Sequence, residues 1–395
     1  MLLLVIIAIS YIAVGLPDSV LGTVWPAVYE ELSLPVSMAG YIGMTVSGCT
    51  VISCLLSARL TARFGTGIIS AVSALMTAAA LIGLSFSQSA VWFFILSIPL
   101  GMGAGTVDSA LNGFVALHCS NSQMSYLHCF YGLGVTLSPY LVSLCLSDDN
   151  NWRRAYLIIG ILQTAISLLI LLAVPYWKKK ESINLLKEES APKTLTLAEM
   201  AKMPSVVLSC VVFYLICAAE YTAGVWSSTF FAEYRGFTPE KAARTAMLFY
   251  IGMTVGRFVS GVFGNKLGSK RILCICVVIL LFACAVMALP LPSLVTSAGL
   301  LLFGFGMGPT FPNLSYLVPA LFGRDISSSV IGVQLASTYV GIMTLPPLFG
   351  ILAENISAGV FPYFLLIVLC AFVLASVMMV KSLDKSKVNI DIGKN

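Results

Sequence analysis

Charge is what this sequence has least of. Only 10% of its 395 residues are Asp, Glu, Lys or Arg, against about 25% in an ordinary soluble chain, and a water-facing surface cannot be built from so little. A soluble domain is excluded. Histidine is nearly missing too, with two residues, His118 and His128, and no Cys-x-x-Cys pair lies near either. A zinc site needs several such ligands at close spacing, so neither a metal nor a cofactor is expected. The eleven cysteines lie almost entirely inside apolar runs and read as small apolar side chains, not as a disulfide framework. The net charge of +5 is mild and scattered, and no basic patch interleaves with aromatics, which sets nucleic acid aside. His-Glu-x-x-His and Gly-x-Ser-x-Gly are absent, and the run Gly101-x-Gly103-x-Gly105 follows no strand, so it is read as helix packing and not as a nucleotide loop. No catalytic residue is assigned, and neither an enzyme nor an ATP-driven pump is expected.

What the chain has in abundance is apolar length, at 58% hydrophobic residues. A membrane helix needs about 20 apolar residues, so runs without charge count the spans. Residues 32–58, 155–177, 326–353 and 355–380 hold one helix each. The longer runs 64–107, 109–147 and 272–323 hold two, divided at Ser87-Gln88-Ser89, Ser120-Asn121-Ser122-Gln123 and Pro290-Leu291-Pro292-Ser293. The fourth helix should end near His118 and the fifth begin near Met124. Adding helices at about 2–29, 204–232 and 240–263 predicts an all-α membrane protein of twelve transmembrane helices. The first helix has no basic residue before it and no small-residue cleavage site after it, so it is expected to be retained. With Met1 inside, sixteen of the 22 Lys and Arg residues fall in inner loops and the tail, and five in outer loops. By the positive-inside rule both termini are cytoplasmic in a multi-pass protein of the inner (plasma) membrane.

The one long hydrophilic stretch divides the chain into residues 1–177, a linker at 178–203, residues 204–380 and a tail at 381–395. The two six-helix bundles repeat one another. Ala62-Arg63-Phe64-Gly65 matches Asn265-Lys266-Leu267-Gly268 at an offset of 203, and the glycine run at 101–105 matches Gly304-x-Gly306-x-Gly308 at the same offset. Gly134 and Pro139 match Gly341 and Pro346 at 207. The identity of Tyr41-Ile-Gly-Met-Thr-Val46 with residues 250–255 has an offset of 209 and is read as coincidence. An even number of helices per half gives both halves the same topology.

With these features the chain resembles the major facilitator superfamily over nearly its whole length. The loop signature of that family is well kept in Gly261-Val-Phe-Gly-Asn265-Lys266-Leu-Gly268-Ser-Lys270-Arg271, while the copy at 58–67 has Ala62 at the acidic position. Within the family, Asp108-Ser-Ala-Leu-Asn112-Gly-Phe114-Val115 and the pattern Tyr214, Glu220, Gly224 are similar to the fucose and glucose/galactose proton symporter branch. The resemblance implies the major facilitator fold, with the first, fourth, seventh and tenth helices around a central cavity.

Asp18, Asp108 and Glu220 are the three carboxylates well inside spans. A charge at the centre of a membrane helix costs about 2.5–3.5 kcal/mol on insertion scales, so such groups are functional by default. They are the proton-coupling candidates, Asp18 and Glu220 standing 202 residues apart near the repeat offset. Asn112, four residues after Asp108, either binds substrate or hydrogen-bonds its acid. Gln163, Gln334 and Asn313 are candidate substrate hydrogen bonders or helix-to-helix ties. Trp25, Tyr131 and Trp226 either stack on a substrate ring or anchor at the outer interface. His128 either titrates near neutrality or packs as a neutral ring. Arg257, Asn265 and Lys266 are assigned to the inner gate. The expected partners are a small-molecule substrate, protons and the lipid bilayer, with the chain a monomer. Two functions fit: proton-coupled import of a small polar solute such as a sugar by alternating access, and proton-coupled efflux of drugs or metabolites.

Overall fold

The computed structural model describes residues 2–35, 38–149, 151–185, 193–237 and 239–392. Lys187 and Lys394, counted above with the inner basic residues, lie outside them, as does Met1. Among the described residues there is no strand, and twelve helical stretches are long and apolar enough to cross a membrane: α1 Leu2–Trp25, α2 Met38–Phe64, α3 Thr66–Ser85, α4 Ala90–His118, α5 Asn121–Leu146, α6 Trp152–Leu172, α7 Pro204–Tyr234, α8 Thr245–Leu267, α9 Ser269–Ala288, α10 Ser293–Phe322, α11 Ser327–Asn355 and α12 Ala358–Leu383. The predicted turns at 87–89 and 290–293 separate α3 from α4 and α9 from α10.

Three boundaries differ from the sequence reading, each for a local reason. α5 starts at Asn121 because Ser120 and Gln123 cap it reciprocally: the Ser120 amide donates to Gln123 Oε1 at 2.8 Å and the Gln123 amide to Ser120 Oγ at 3.3 Å. The hydrophilic stretch after α6 is partly helical, with a helix over Val174–Leu185 and a short turn over Leu197–Ala201 that carries its own capping box, Thr196 with Glu199. At the other end the last helix runs on to Ile392.

α1 is not one rod. It breaks into Leu2–Gly15 and Val20–Glu31 because Pro17 has no amide hydrogen to give the Ala13 carbonyl. The orphaned carbonyl is taken by Gln163 Nε2 of α6 at 2.9 Å, and Ser138 Oγ of α5 donates to the Leu16 carbonyl. α10 breaks at Gly308 and Pro309, giving Ser293–Met307 and Thr310–Phe322. In α7 the last turn widens into a π-helix at Phe230–Tyr234.

The chain forms two compact units. The first holds Met1–His118, Leu127–Thr194 and Arg324–Gly332; the second holds Cys119–Tyr126, Leu195–Gly323 and Val333–Asn395. A core around Val24, Trp25, Phe93, Trp152 and Tyr156 fills the first. Phe213, Phe231, Phe249, Phe303, Phe349 and Phe361 lead the core of the second.

Inside each unit the repeat is visible as matching close approaches. A Cβ on Gly101 would strike the Val46 carbonyl oxygen, and one on Gly304 the Phe249 carbonyl oxygen, 203 residues on. Gly103 meets the Ser73 carbonyl as Gly306 meets that of Cys276, and Gly105 meets the Thr50 carbonyl as Gly308 meets that of Met253. Only glycine admits backbones this close. These pairs place Val46 opposite Phe249 in the repeat, so the longer identity at offset 209 has no structural counterpart. Gly65 and Gly268, the residues before α3 and α9, share a left-handed backbone with φ of 84° and 74°.

At the end of the first unit remote from the basic loops, Glu31 accepts hydrogen bonds from Trp152 Nε1 at 2.6 Å and from Arg153. Arg153 also donates to the Ser87 carbonyl at 3.0 Å and lies 4.2 Å over the Trp152 ring. Burial pushes the Glu31 carboxyl up, but the two hydrogen bonds and the Arg153 charge outweigh it and hold Glu31 below its ordinary value of 4.5.

Candidate functional site

Three carboxylates, Asp18, Asp108 and Glu220, lie well inside spans, and the structure gives each a chemically different partner. Asp108 stands on α4 about 15 Å of helix before its end at His118, by the rise per residue. One turn on, Asn112 Nδ2 donates to Asp108 Oδ1 at 2.8 Å and to the Asp108 carbonyl at 2.9 Å. With its nitrogen committed to acceptors, the Asn112 oxygen is turned the other way. It accepts from Tyr11 Oη of α1 at 3.4 Å and contacts His128 Nε2 of α5 at 3.2 Å. Because that oxygen can only accept, His128 presents Nε2–H to it. The Tyr11 and His128 rings meet edge to face at 5.0 Å. Asn112, Tyr11 and His128 are all buried, and Asp108 is partly open. One amide thus joins an acid on α4, a phenol on α1 and an imidazole on α5.

Asp18 sits in the break of α1 and is exposed. Tyr131 Oη donates to its Oδ2 at 2.7 Å. α5 grips the same break at Ser19, whose Oγ donates to the Val135 carbonyl at 2.8 Å. Gly15 and Gly134 allow this approach, since a Cβ on Gly15 would meet the Tyr131 carbonyl and one on Gly134 the Ile12 carbonyl.

In the second unit Glu220 of α7 stands 3.6 Å from Arg257 Nη2 of α8, with side-chain exposures of 25% and 6% respectively. Arg257 Nε donates to the Gly308 carbonyl of α10 at 3.3 Å. That carbonyl lacks a helical partner because residue 312, whose amide would reach it, is Pro312. Arg257 lies ten residues before the end of α8 at Leu267, about 15 Å along the helix.

Asn265 and Lys266 are exposed at the end of α8. The Asn265 amide donates to Ser122 Oγ at 3.2 Å and Asn265 Oδ1 accepts from the Ser122 amide at 3.4 Å, one of the orphan donors at the start of α5. Deeper along the same pair, Ser125 Oγ and Ser260 Oγ are 3.0 Å apart and Asn313 Nδ2 donates to Ser260 Oγ at 2.9 Å.

The remaining candidates are placed in packing. Gln163 gives its amide to the Ala13 carbonyl and to Thr77 Oγ1 at 2.8 Å, and Gln334 gives its own to Ser209 Oγ at 3.1 Å. Trp25 is in the core of the first unit, edge-on to Phe93. Trp226 donates to the Pro346 carbonyl at 2.9 Å and packs on Phe349. The amide oxygens of Gln163, Asn313 and Gln334 are buried without a hydrogen-bond partner. Tyr11, Ser122, Ser125 and Ser260 were not singled out in the sequence, and no local spacing signals them, since their partners lie on other helices.

The pattern of the Major Facilitator Superfamily matches residues 7–337 and 245–394. The chain is similar to Bypass of stop codon protein 6 of Saccharomyces cerevisiae, at 24% identity over 403 residues, covering 93% of this chain and 80% of that protein. Among solved structures it is similar to the fucose:proton symporter FucP of E. coli, with a TM-score of 0.76 at 15% identity, covering 97% of this chain and 98% of that one. It is also similar to the proton:xylose symporter XylE, with a TM-score of 0.73 at 14% identity over 96% of this chain and 94% of that one. At these identities the likeness to solved structures is one of fold.

Proposed function

Because the chain belongs to the major facilitator superfamily, we propose that it is a secondary transporter that carries a small polar solute such as a sugar together with a proton, by alternating access. The observation that carries this reading is the partly open Asp108 carboxyl inside a membrane span, whose Oδ1 accepts a 2.8 Å hydrogen bond from the Asn112 amide. Protonation of this carboxyl changes what its amide partner does: Asn112 then turns its oxygen to the acid and its nitrogen to Tyr11 and His128. Proton occupancy is thereby linked to the arrangement of α1, α4 and α5. Asp18, hydrogen-bonded by Tyr131 at the break of α1, is the second proton site of the same unit. The sugar symporters named above support the substrate class by fold. The positive-inside count supports cytoplasmic termini; in this reading the protein works as a monomer of the plasma membrane, with Asn265 serving the inner gate through Ser122.

The test is Asp108→Asn in proteoliposomes. Proton-driven accumulation should be lost while solute counterflow, which needs no net proton movement, persists. Equal loss of both in folded protein contradicts the assignment and makes Asp108 a binding or bracing residue.

A further inference from the structure

Asn112 links Asp108 to side chains on two other helices, Tyr11 and His128, and the two are not chemically alike. Both hydrogens of the Asn112 nitrogen are in use, on Asp108 Oδ1 at 2.8 Å and on the Asp108 carbonyl at 2.9 Å. Its oxygen therefore faces Tyr11 Oη at 3.4 Å and His128 Nε2 at 3.2 Å. A hydroxyl donates or accepts as needed, so Tyr11 can follow the amide either way round by turning one bond. An imidazole nitrogen cannot. Nε2 that carries a hydrogen has no lone pair left, so it suits the Asn112 oxygen and opposes the Asn112 nitrogen. Once Asp108 is protonated and the amide turns, two N–H donors point at one another across that 3.2 Å contact. The conflict holds whatever else the ring touches.

The ring sits where such a conflict is felt by a helix. His128 is 5% exposed and meets the Tyr11 ring edge to face at 5.0 Å, and a close-packed interior answers a bad contact by displacement. One turn along α5, Tyr131 donates to Asp18 Oδ2 at 2.7 Å, so the same helix meets both acids of this unit, one through Asn112 and one directly. The remaining titratable neighbour is Cys54 on α2, within the electrostatic reach of Asp108.

We propose that His128 is a positioning residue that reports the charge of Asp108 to α5: its Nε2–H holds the Asn112 oxygen while the acid is ionised, and is driven off when Asp108 takes up the transported proton. The proton forms the O–H bond of Asp108 and no bond of the imidazole breaks. The proposal rests on the proton-symport reading above and names the side chain through which that proton is sensed.

The test titrates the purified full chain in nanodiscs by difference infrared spectroscopy, without solute, the C=O band of protonated Asp108 being the one that Asp108→Asn lacks. His128→Gln, whose own amide can turn to match Asn112 either way, should move the midpoint of that band to higher pH by about 0.5–1 unit, the worth of one hydrogen bond. Tyr11→Phe should move it less. An unmoved midpoint in His128→Gln makes the ring a packing group and overturns the inference, leaving proton symport standing. Should His128→Gln fail to fold, the parent decides: the chain has two histidines, so nitrogen NMR of labelled histidine, with His118→Gln to assign, reads the ring. Above the Asp108 midpoint His128 should carry its hydrogen on Nε2, and that signal should shift as Asp108 is protonated. A hydrogen on Nδ1 alone, or an Nε2 signal constant through the midpoint, overturns the inference. No Asp108 band at any pH at which the chain stays folded overturns the symport reading and this inference together.

Discussion

Asp108 and Asn112 allow a measurement whose size reports the charge on the acid. The contact is short, 2.8 Å from Nδ2 to Oδ1, and Asn112 is fully buried. A hydrogen bond to an ionised group contributes about 1.5–3 kcal/mol, whereas neutral side-chain bonds between membrane helices average about 0.6 kcal/mol. A double-mutant cycle of Asp108→Ala, Asn112→Ala and the pair, followed by denaturant unfolding in mixed micelles, isolates the interaction. Removing the Asn112 amide also removes its bonds to Tyr11 and His128, but it does so in both legs of the cycle, and that part cancels. Near neutral pH the coupling should reach at least ~1.5 kcal/mol, and in acid, with Asp108 protonated, it should fall to ~0.6 kcal/mol. Additivity within ~0.5 kcal/mol at both pH values would refute the pairing, and an acid-insensitive coupling would refute the idea that the site takes up a proton.

Gly308→Ala, whose Cβ would land on the Met253 carbonyl, should destabilise by about 1–3 kcal/mol through overpacking, while Gly22→Ala, with nothing within 4 Å, should be neutral or stabilising by up to ~1 kcal/mol; thermal unfolding checks both. Glu31 is held below its ordinary value in the folded chain, so its contribution is present above that ordinary value and is lost as pH falls through the lower folded one. The melting temperature of the parent should drop across that acid window more steeply than that of Glu31→Gln, and parallel curves would contradict the ion pair. Asn265→Asp should strengthen the cap on the first turn of α5 by ~0.3–1 kcal/mol, read as a rise in melting temperature over both the parent and Asn265→Ala.

The twelve spans were legible because charge is so scarce that each run between charged residues is a helix or two, and the pairing of Gly101 with Gly304 exposed the repeat before any contact was visible. Helix ends were less so. The start of α5 depends on Ser120 and Gln123 capping one another, a pattern present in the sequence but masked by reading those residues only as a polar break. Pro17 announced the break in α1, yet nothing local said that Gln163, 150 residues away, would satisfy the freed carbonyl. The acids themselves were conspicuous as charges in apolar runs. Their partners were not, because Tyr131 and Arg257 reach them from other helices, and spacing along one helix carries no information about its neighbours. Asn112 was the exception, since a separation of four residues places it on the face of Asp108. Trp25 and Trp226 are a similar case: conspicuous as aromatics, they meet Phe93 and Phe349 on other helices, contacts their own helices do not announce.

The most direct test of the central claim is the pH inside sealed proteoliposomes, followed with a trapped pH-sensitive dye when solute is added outside in the absence of any imposed gradient. Symport predicts that the lumen acidifies in step with solute entry, and that Asp108→Asn abolishes the acidification. Solute entry with no change in lumenal pH, or with alkalinisation as an antiporter would produce, would contradict it.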